Sequence, residues 1–288
     1  MREYALFLGC LIPARLPSLE AVSVKVLEKF GIGTRPMIGA SCCPDPIVMK
    51  SLDYKAWLAI AARNLSIAEE MKLDILTLCS GCFSTLSKAN KVLKENAKLK
   101  DEIGSFLSEI NRGFSGTINV RQVAEVIREI GPEAIKQRLQ RTLEQWRVAT
   151  QHGCHLVRPS DVLHVDDPNR PTILDEIVSW VGAKPIEYPL KMLCCGVGIK
   201  AIDPETNLIM LREKLESIRE AEANCIVTPC PFCFIQFDMG QREVNRKFNE
   251  SYAFPVFYIT ELLGLAVGLS PEEIGLQFHA TPVKEVWV

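Results

Sequence analysis

The sequence predicts an α/β protein built twice over: two pseudo-repeated cysteine-rich domains, residues 1–96 and 147–288, with strands flanked by helices, and a helical connector at 97–146. Three observations lead there. Ten of the eleven cysteines form a recurring pattern: Cys10, Cys42, Cys43, Cys79 and Cys82 are spaced C-x31-CC-x35-C-x2-C, and Cys154, Cys194, Cys195, Cys230 and Cys233 are spaced C-x39-CC-x34-C-x2-C. Repetition of four segments with such similar gaps marks a duplicated unit. Short apolar runs alternate with segments of helical periodicity in both halves, which is the pattern of α/β layers. A chain of 288 residues, 48% hydrophobic and 24% charged, is also long enough to bury a core in each of two domains.

Each half opens on a buried strand, "YALFLG" in the first and "RVATQHG" in the second, which ends at the first cysteine of its set. A helix follows each cysteine pair. The first, "DYKAWLAIAARNLSIAEEMK", starts at Asp53 as N-cap; the second, "DPETNLIMLREKLESIREAEA", is capped by Asp203 with Pro204 at the first helical position. Strands "DILTLC" and "CIVTPC" then run into the C-x2-C pairs, and "FSTLSKANKVLKEN" and "FIQFDMGQREVNRKFN" continue from them with helical spacing. Cysteines thus gather at strand ends, where α/β sheets place their ligands. The eleventh cysteine, Cys225, has no counterpart in the first half, where Asp74 holds the matching offset, and is expected in the core. Between the halves, the cysteine-free stretch containing "VRQVAEVIREIGPEAIKQRLQRTLEQW" is expected to be a packed helical spacer, with a partner-docking face as the sharper alternative.

Composition excludes several classes. A net charge of -2 without a basic stripe is not a nucleic-acid footprint. The apolar run before Cys10 is too short for a signal sequence, and "ITELLGLAVGLS", interrupted by Glu261, falls short of a membrane span. A cytoplasmic location is therefore expected. Thiols are kept reduced there, so this many cysteines point to metal binding rather than to disulfides.

Five cysteines per half decide the metal chemistry. A closed zinc tetrahedron takes four ligands, as does a [4Fe–4S] cubane with one thiolate per iron. Both leave a thiol over. The vicinal pairs Cys42/Cys43 and Cys194/Cys195 lie beside the turn formers Pro44 and Gly196, and a pair that wraps an object can hold two different metal atoms. An iron–sulfur cluster with an extra, bridging thiolate accounts for the fifth ligand. A thioredoxin-like thiol relay at Cys79/Cys82 or Cys230/Cys233 explains the C-x2-C pairs but leaves the other six repeat cysteines without a role.

The duplicated cysteine motif, together with "FLGC", "GASCCPDP", "WLAIAARNLSIAEEM", "QHGCHLVRPSD" and "TPCPFCFIQFDMGQ", resembles the CCG-domain family over nearly the whole chain, and within it the B subunits of heterodisulfide reductases. That resemblance implies two noncubane [4Fe–4S] clusters, the first held by Cys10, Cys42, Cys43, Cys79 and Cys82, the second by Cys154, Cys194, Cys195, Cys230 and Cys233. It implies reduction of the coenzyme M–coenzyme B heterodisulfide to two thiols, with the complex's ferredoxin-like subunit, the immediate donor, beside it and the flavin-containing subunit beyond. Val197 and Ile199 interrupt the family's run of small residues, and Phe234 stands where relatives often carry His; neither departure touches a ligand. The chain itself shows no ferredoxin-type cysteine run and no G-x-G-x-x-G, so electrons must arrive from elsewhere.

Four further residues are candidates for the chemistry. His152 and His155 flank Cys154 and are placed to donate hydrogen bonds or protons, while Arg158 and Lys200 supply the cations that a sulfonate or phosphate needs. Two other functions are open on the sequence: electron transfer in another CCG-type oxidoreductase of the lactate, glycolate or succinate class, and a zinc-stabilised interaction protein.

Overall fold

The computed structural model describes residues 2–283. The first repeat contains β1 (Arg2–Phe7), α1 (Leu11–Arg15), α2 (Pro17–Lys29), β2 (Ile32–Pro36), α3 (Val48–Leu52), α4 (Tyr54–Met71), β3 (Ile75–Thr77) and α5 (Ser80–Glu95). Next come α6 (Ala97–Ser108), β4 (Val120–Gln122), α7 (Val123–Ile130) and α8 (Pro132–Lys136). The second repeat runs through β5 (Arg147–Thr150), α9 (Cys154–Val157), α10 (Ile173–Trp180), β6 (Lys184–Ile186), α11 (Pro204–Glu220), β7 (Cys225–Thr228), α12 (Pro231–Asp238), α13 (Gly240–Phe248), β8 (Val256–Tyr258), α14 (Ile259–Ala266) and α15 (Pro271–Ile274).

Two four-stranded sheets result, ordered β2-β1-β3-β4 and β6-β5-β7-β8, and every pairing in them is parallel. The two sheets share one topology. Their strands β3 and β7 are buried from end to end, as parallel strands covered by helices on both faces must be. Strand order reverses between β1 and β3, and again between β5 and β7, so each repeat has a switch point where the carboxyl ends of adjacent strands open a crevice.

The capping chemistry follows the sequence. Asp53 accepts from the Ala56 amide at 3.0 Å and Asp203 from the Thr206 amide at 3.0 Å, starting α4 and α11. One expectation is corrected. The stretch 97–146 is not purely helical, because β4 lies within it and joins the first sheet beside β3. Gly131, at φ +82, then ends α7, and Pro132 opens α8. The helix expected after Cys233 is also two, α12 and α13, divided at Met239.

The repeats pack about a pseudo-twofold relation. The helix after each C-x2-C meets the short helix after the other repeat's first cysteine, α5 on α9 and α12 on α1. Likewise α2 packs on α14 and α7 on α10, and a hydrogen bond of 2.8 Å joins Ser23 to Thr260 across the first of these contacts. Among the described residues no helix is long and apolar enough to cross a membrane; the first eight residues of "ITELLGLAVGLS" form the buried α14.

Candidate functional site

The first switch point collects all five cysteines of its repeat. After β1 the chain turns through Gly9 at φ +66, and Cys10 begins α1. A Cβ on Gly9 would lie 2.8 Å from Cys82 Sγ, so both the backbone and the space demand glycine. Cys79 is the N-cap of α5 and Cys82 lies in its first turn, where the exposed amides of a helix start favour anionic sulfur. The Cys42/Cys43 loop is fastened from below by the fully buried Asn64, whose Nδ2 donates to Cys42 O at 3.0 Å while its Oδ1 accepts from Ser41 N at 3.0 Å. Cys10 and Cys42 place their sulfurs 3.8 Å apart, the Cys43 thiol interacts with those of Cys42 and Cys82, and Cys82 with Cys79; all are free thiols. All five line a cavity of about 100 Å³, together with Phe232 from the other repeat.

The second switch point repeats the plan. Gly153 takes φ +76 before Cys154, and a Cβ there would stand 3.8 Å from Cys233 Sγ. Gly196, at φ +83, turns the chain after the cysteine pair, with its amide 3.4 Å from Cys194 Sγ. The Cys154 thiol interacts with that of Cys194, Cys195 lies 3.5 Å from Cys233, and Cys233 interacts with Cys230. The two sets then meet, because the Cys79 and Cys230 thiols are close enough that each shifts the other's proton affinity. That junction is bridged by equivalent residues at the ends of β4 and β8. Gln122 Nε2 donates to Pro229 O at 2.9 Å, and the Tyr258 hydroxyl is shared between Leu78 O and Pro229 O.

Crowded thiols divide their protons unevenly. Cys43 is held well below the usual thiol range, chiefly by the hydrogen bond from Cys42, and Cys194 chiefly by that from Cys154; both donors are pushed up in turn. Each set is therefore disposed to carry negative charge. Cys225, by contrast, is fully buried within β7, and burial alone pushes its thiol up, which agrees with a core role.

The non-cysteine candidates separate. His155 and Arg158 line a cavity of about 280 Å³ between the repeats, which Cys154, Lys50 and Lys88 also line. Burial pushes Lys50 down, and the neighbouring Lys88 charge adds to it, with Asp161 opposing the shift. Arg158 is partly engaged, donating to Pro168 O at 2.8 and 3.1 Å. Lys200 lies elsewhere, paired with Glu243 at 2.6 Å. His152 is buried with neither ring nitrogen hydrogen-bonded, and burial, then the Lys191 charge, pushes it down to about 3, so it is neutral near pH 7. Phe234 packs edge-on against His279, their ring centres 5.1 Å apart.

Sequence reasoning missed Lys214. Its fully buried ammonium donates to Lys191 O at 3.2 Å and to Leu193 O, just ahead of the second cysteine pair, and burial presses it down to about 8 against the pull of the nearby thiols. Aligning α4 with α11 on their aspartate caps would have flagged it, since that alignment sets Lys214 on Asn64.

Among the described residues no three His, Cys, Asp or Glu side chains converge on one point suited to a lone ion; the sulfurs run in two connected lines instead. Polythiolate lines around a small cavity, with glycine where a Cβ would intrude, fit a group that offers several metal atoms.

Duplicated parallel sheets with a five-thiol set at each switch point define a twin-domain polythiolate protein. The family model described as "Cysteine-rich domain", CCG, matches residues 4–87 and 148–238. The chain is 41% identical, over 97% of its length and 94% of the relative's, to the B subunit of the ferredoxin:CoB-CoM heterodisulfide reductase of Methanosarcina mazei. It is 32% identical, over 96% of both chains, to the "8-methylmenaquinol:fumarate reductase membrane anchor subunit" of Wolinella succinogenes. The fold matches a solved hypothetical protein from Helicobacter pylori at TM-score 0.81 and 14% identity, covering 98% of this chain and 52% of that one. The chain belongs to the CCG cysteine-rich domain family, among the heterodisulfide reductase B subunits.

Proposed function

We propose that this chain is the catalytic iron–sulfur subunit of a heterodisulfide reductase, holding one noncubane [4Fe–4S] cluster in each five-cysteine set and reducing the coenzyme M–coenzyme B disulfide to two thiols. The observation that carries this reading is the junction of the two sets at Cys79 and Cys230, which lets two redox groups serve one substrate. Cleaving a disulfide takes two electrons and two protons, and bound clusters would supply one electron each and iron to hold the separated sulfurs. The names of the methanogen relatives support the substrate class.

The chain's own residues have definable parts in this reaction. Lys50, Lys88, His155 and Arg158 form a basic cavity that opens beside Cys154, a place for the anionic ends of such a substrate. Lys200 is occupied by Glu243 and has no part in the proposal. His152, kept neutral, can offer an N–H toward sulfur but no imidazolium proton. Cys10 and Cys42 are exposed, with Ile38 81% exposed shortly before the pair and Leu52 78% exposed at the end of α3, and that surface suits an electron-donating partner, the ferredoxin-like subunit, with the flavin-containing subunit beyond it.

The Wolinella relative favours a second reading, in which the chain passes electrons within another CCG-type oxidoreductase. Protein purified without oxygen is expected to hold about eight irons with matching sulfide and little zinc, four per cluster. When reduced, it should cleave the heterodisulfide. Two zincs without sulfide would end the redox reading, and a fully loaded, reduced protein that cleaves no disulfide would move the chain to the electron-transfer class. Cys43→Ser and Cys195→Ser variants, each keeping one cluster, separate the mechanisms: each surviving cluster should change its spectrum with one of the two thiols. One cluster answering to both thiols would replace the two-sided mechanism with a single catalytic cluster and a relay.

A further inference from the structure

The repeats carry different side chains at one equivalent position. Eleven residues after the caps Asp53 and Asp203 stand Asn64 in α4 and Lys214 in α11, both fully buried. Each fastens the loop that bears its cysteine pair, Asn64 through Cys42 O and Ser41 N, Lys214 through Lys191 O and Leu193 O. Holding the loop is common to both. The charge is not. Lys191 nearby is neutralised by Asp175 at 2.6 Å and Glu187 at 2.9 Å, whereas among the described residues Lys214 has no carboxylate partner. It faces backbone carbonyls, the Tyr188 ring at 5.8 Å and the field of Cys233, Cys195, Cys194 and Cys154.

A buried charge needs a counter-charge, and for this ammonium the second thiol set is the one at hand. We propose that Lys214 is the electrostatic counterion of the second site and raises its affinity for an added electron above that of the first, where Asn64 is neutral. This rests on the iron–sulfur reading given above. Reduction adds one negative charge to a cluster, and a fixed cation in a water-poor setting stabilises the reduced state. The need is specific to the second site: Cys154 and Cys194 are only partly exposed where Cys10 and Cys42 are exposed, and that deeper burial by itself disfavours an added charge. Lys214 offsets it. An electron entering at the exposed first site is then drawn inward to the second.

The test is a redox titration of the full chain, purified without oxygen and followed by electron paramagnetic resonance, with the Cys43→Ser variant used to assign the second site's signal. Lys214→Gln keeps an amide donor for the loop and removes the charge. It should leave iron and sulfide content unchanged and weaken reduction of the second site roughly a hundredfold, about 120 mV at ~59 mV per decade for one electron, without moving the first. Lys214→Arg should restore the potential, and Asn64→Lys should raise that of the first site. An unmoved second potential in Lys214→Gln with iron intact overturns the proposal. So does loss of second-site iron in both Lys214 variants, which would leave only the loop-holding role. Absence of iron and sulfide from the unmodified chain is a different result, and it would bring down the cluster reading as well.

Discussion

At the scale of single residues, the site depends on where a side chain is forbidden as much as on where a thiol is supplied. Gly9 and Gly153 both take a positive φ just ahead of their first cysteine, so alanine at either is strained by about 1–3 kcal/mol. Their surroundings differ. The new Cβ would stand 2.8 Å from Cys82 Sγ at the first site but 3.8 Å from Cys233 Sγ at the second. Gly9→Ala should therefore lose first-site iron while Gly153→Ala keeps most of its second-site iron; equal loss on metal analysis would show that strain rather than the clash governs. The cysteines divide in the same way. Cys195→Ser should lose or convert the second cluster, since a hydroxyl is a poor substitute for a soft thiolate, whereas Cys225→Ala should keep both clusters and destabilise by on the order of 1 kcal/mol. Equal iron loss in the two variants would mean that the ligand set is wrong.

Elements aim these residues. Each C-x2-C sits across the start of a helix that follows a fully buried strand, so strand, helix start and thiols are placed as one unit. In the second repeat the strand end is also fixed by charge: Lys191, nearly buried, pairs with Asp175, which accepts from Thr150 Oγ1 at 2.6 Å at the end of β5. Removing this lysine leaves a carboxylate in a poorly hydrated position, while its second partner, Glu187, has a side chain 82% exposed and is well screened. Lys191→Met is expected to destabilise by about 2–3 kcal/mol, and Glu187→Gln by less than about 0.5 kcal/mol, in chemical denaturation. A large effect of Glu187→Gln would contradict that ranking. Asp53→Ala should reduce stability by about 1 kcal/mol through loss of the α4 cap without changing iron content.

On the scale of the whole molecule, function requires that the two repeats stay face to face. Tyr258, fully buried, reaches from the end of β8 to carbonyls just ahead of both C-x2-C motifs, and Gln122 makes the equivalent reach from β4. Tyr258→Phe removes a hydroxyl and leaves buried Leu78 and Pro229 carbonyls with a lost partner, a loss of about 1–3 kcal/mol. Because the bond spans the repeats, the variant should also broaden the spectra of both clusters. A spectral change confined to one cluster would show that the bridge does not couple them.

Whatever is periodic or covalently local was legible in the residues alone. Two repeats, the strand-then-cysteine order, the aspartate caps, the core position of Cys225 and the ten clustered cysteines could all be read there, because strand and helix periods, cap chemistry and cysteine spacing are written in neighbouring residues. β4 escaped such a reading, since Val120, Arg121 and Gln122 carry no apolar run of the kind that marked β3, and the strand is defined by its pairing with β3. Which charges meet was settled in three dimensions. Folding paired Lys200 with Glu243, brought Lys50 and Lys88 to the cavity with His155 and Arg158, joined the two thiol sets at Cys79 and Cys230, and buried Lys214 beside the second. Distance is the cause: electrostatic and hydrogen-bond partners are chosen by proximity across the packed repeats, and residues such as Leu78 and Tyr258, 180 positions apart, come into contact only when both sheets are in place.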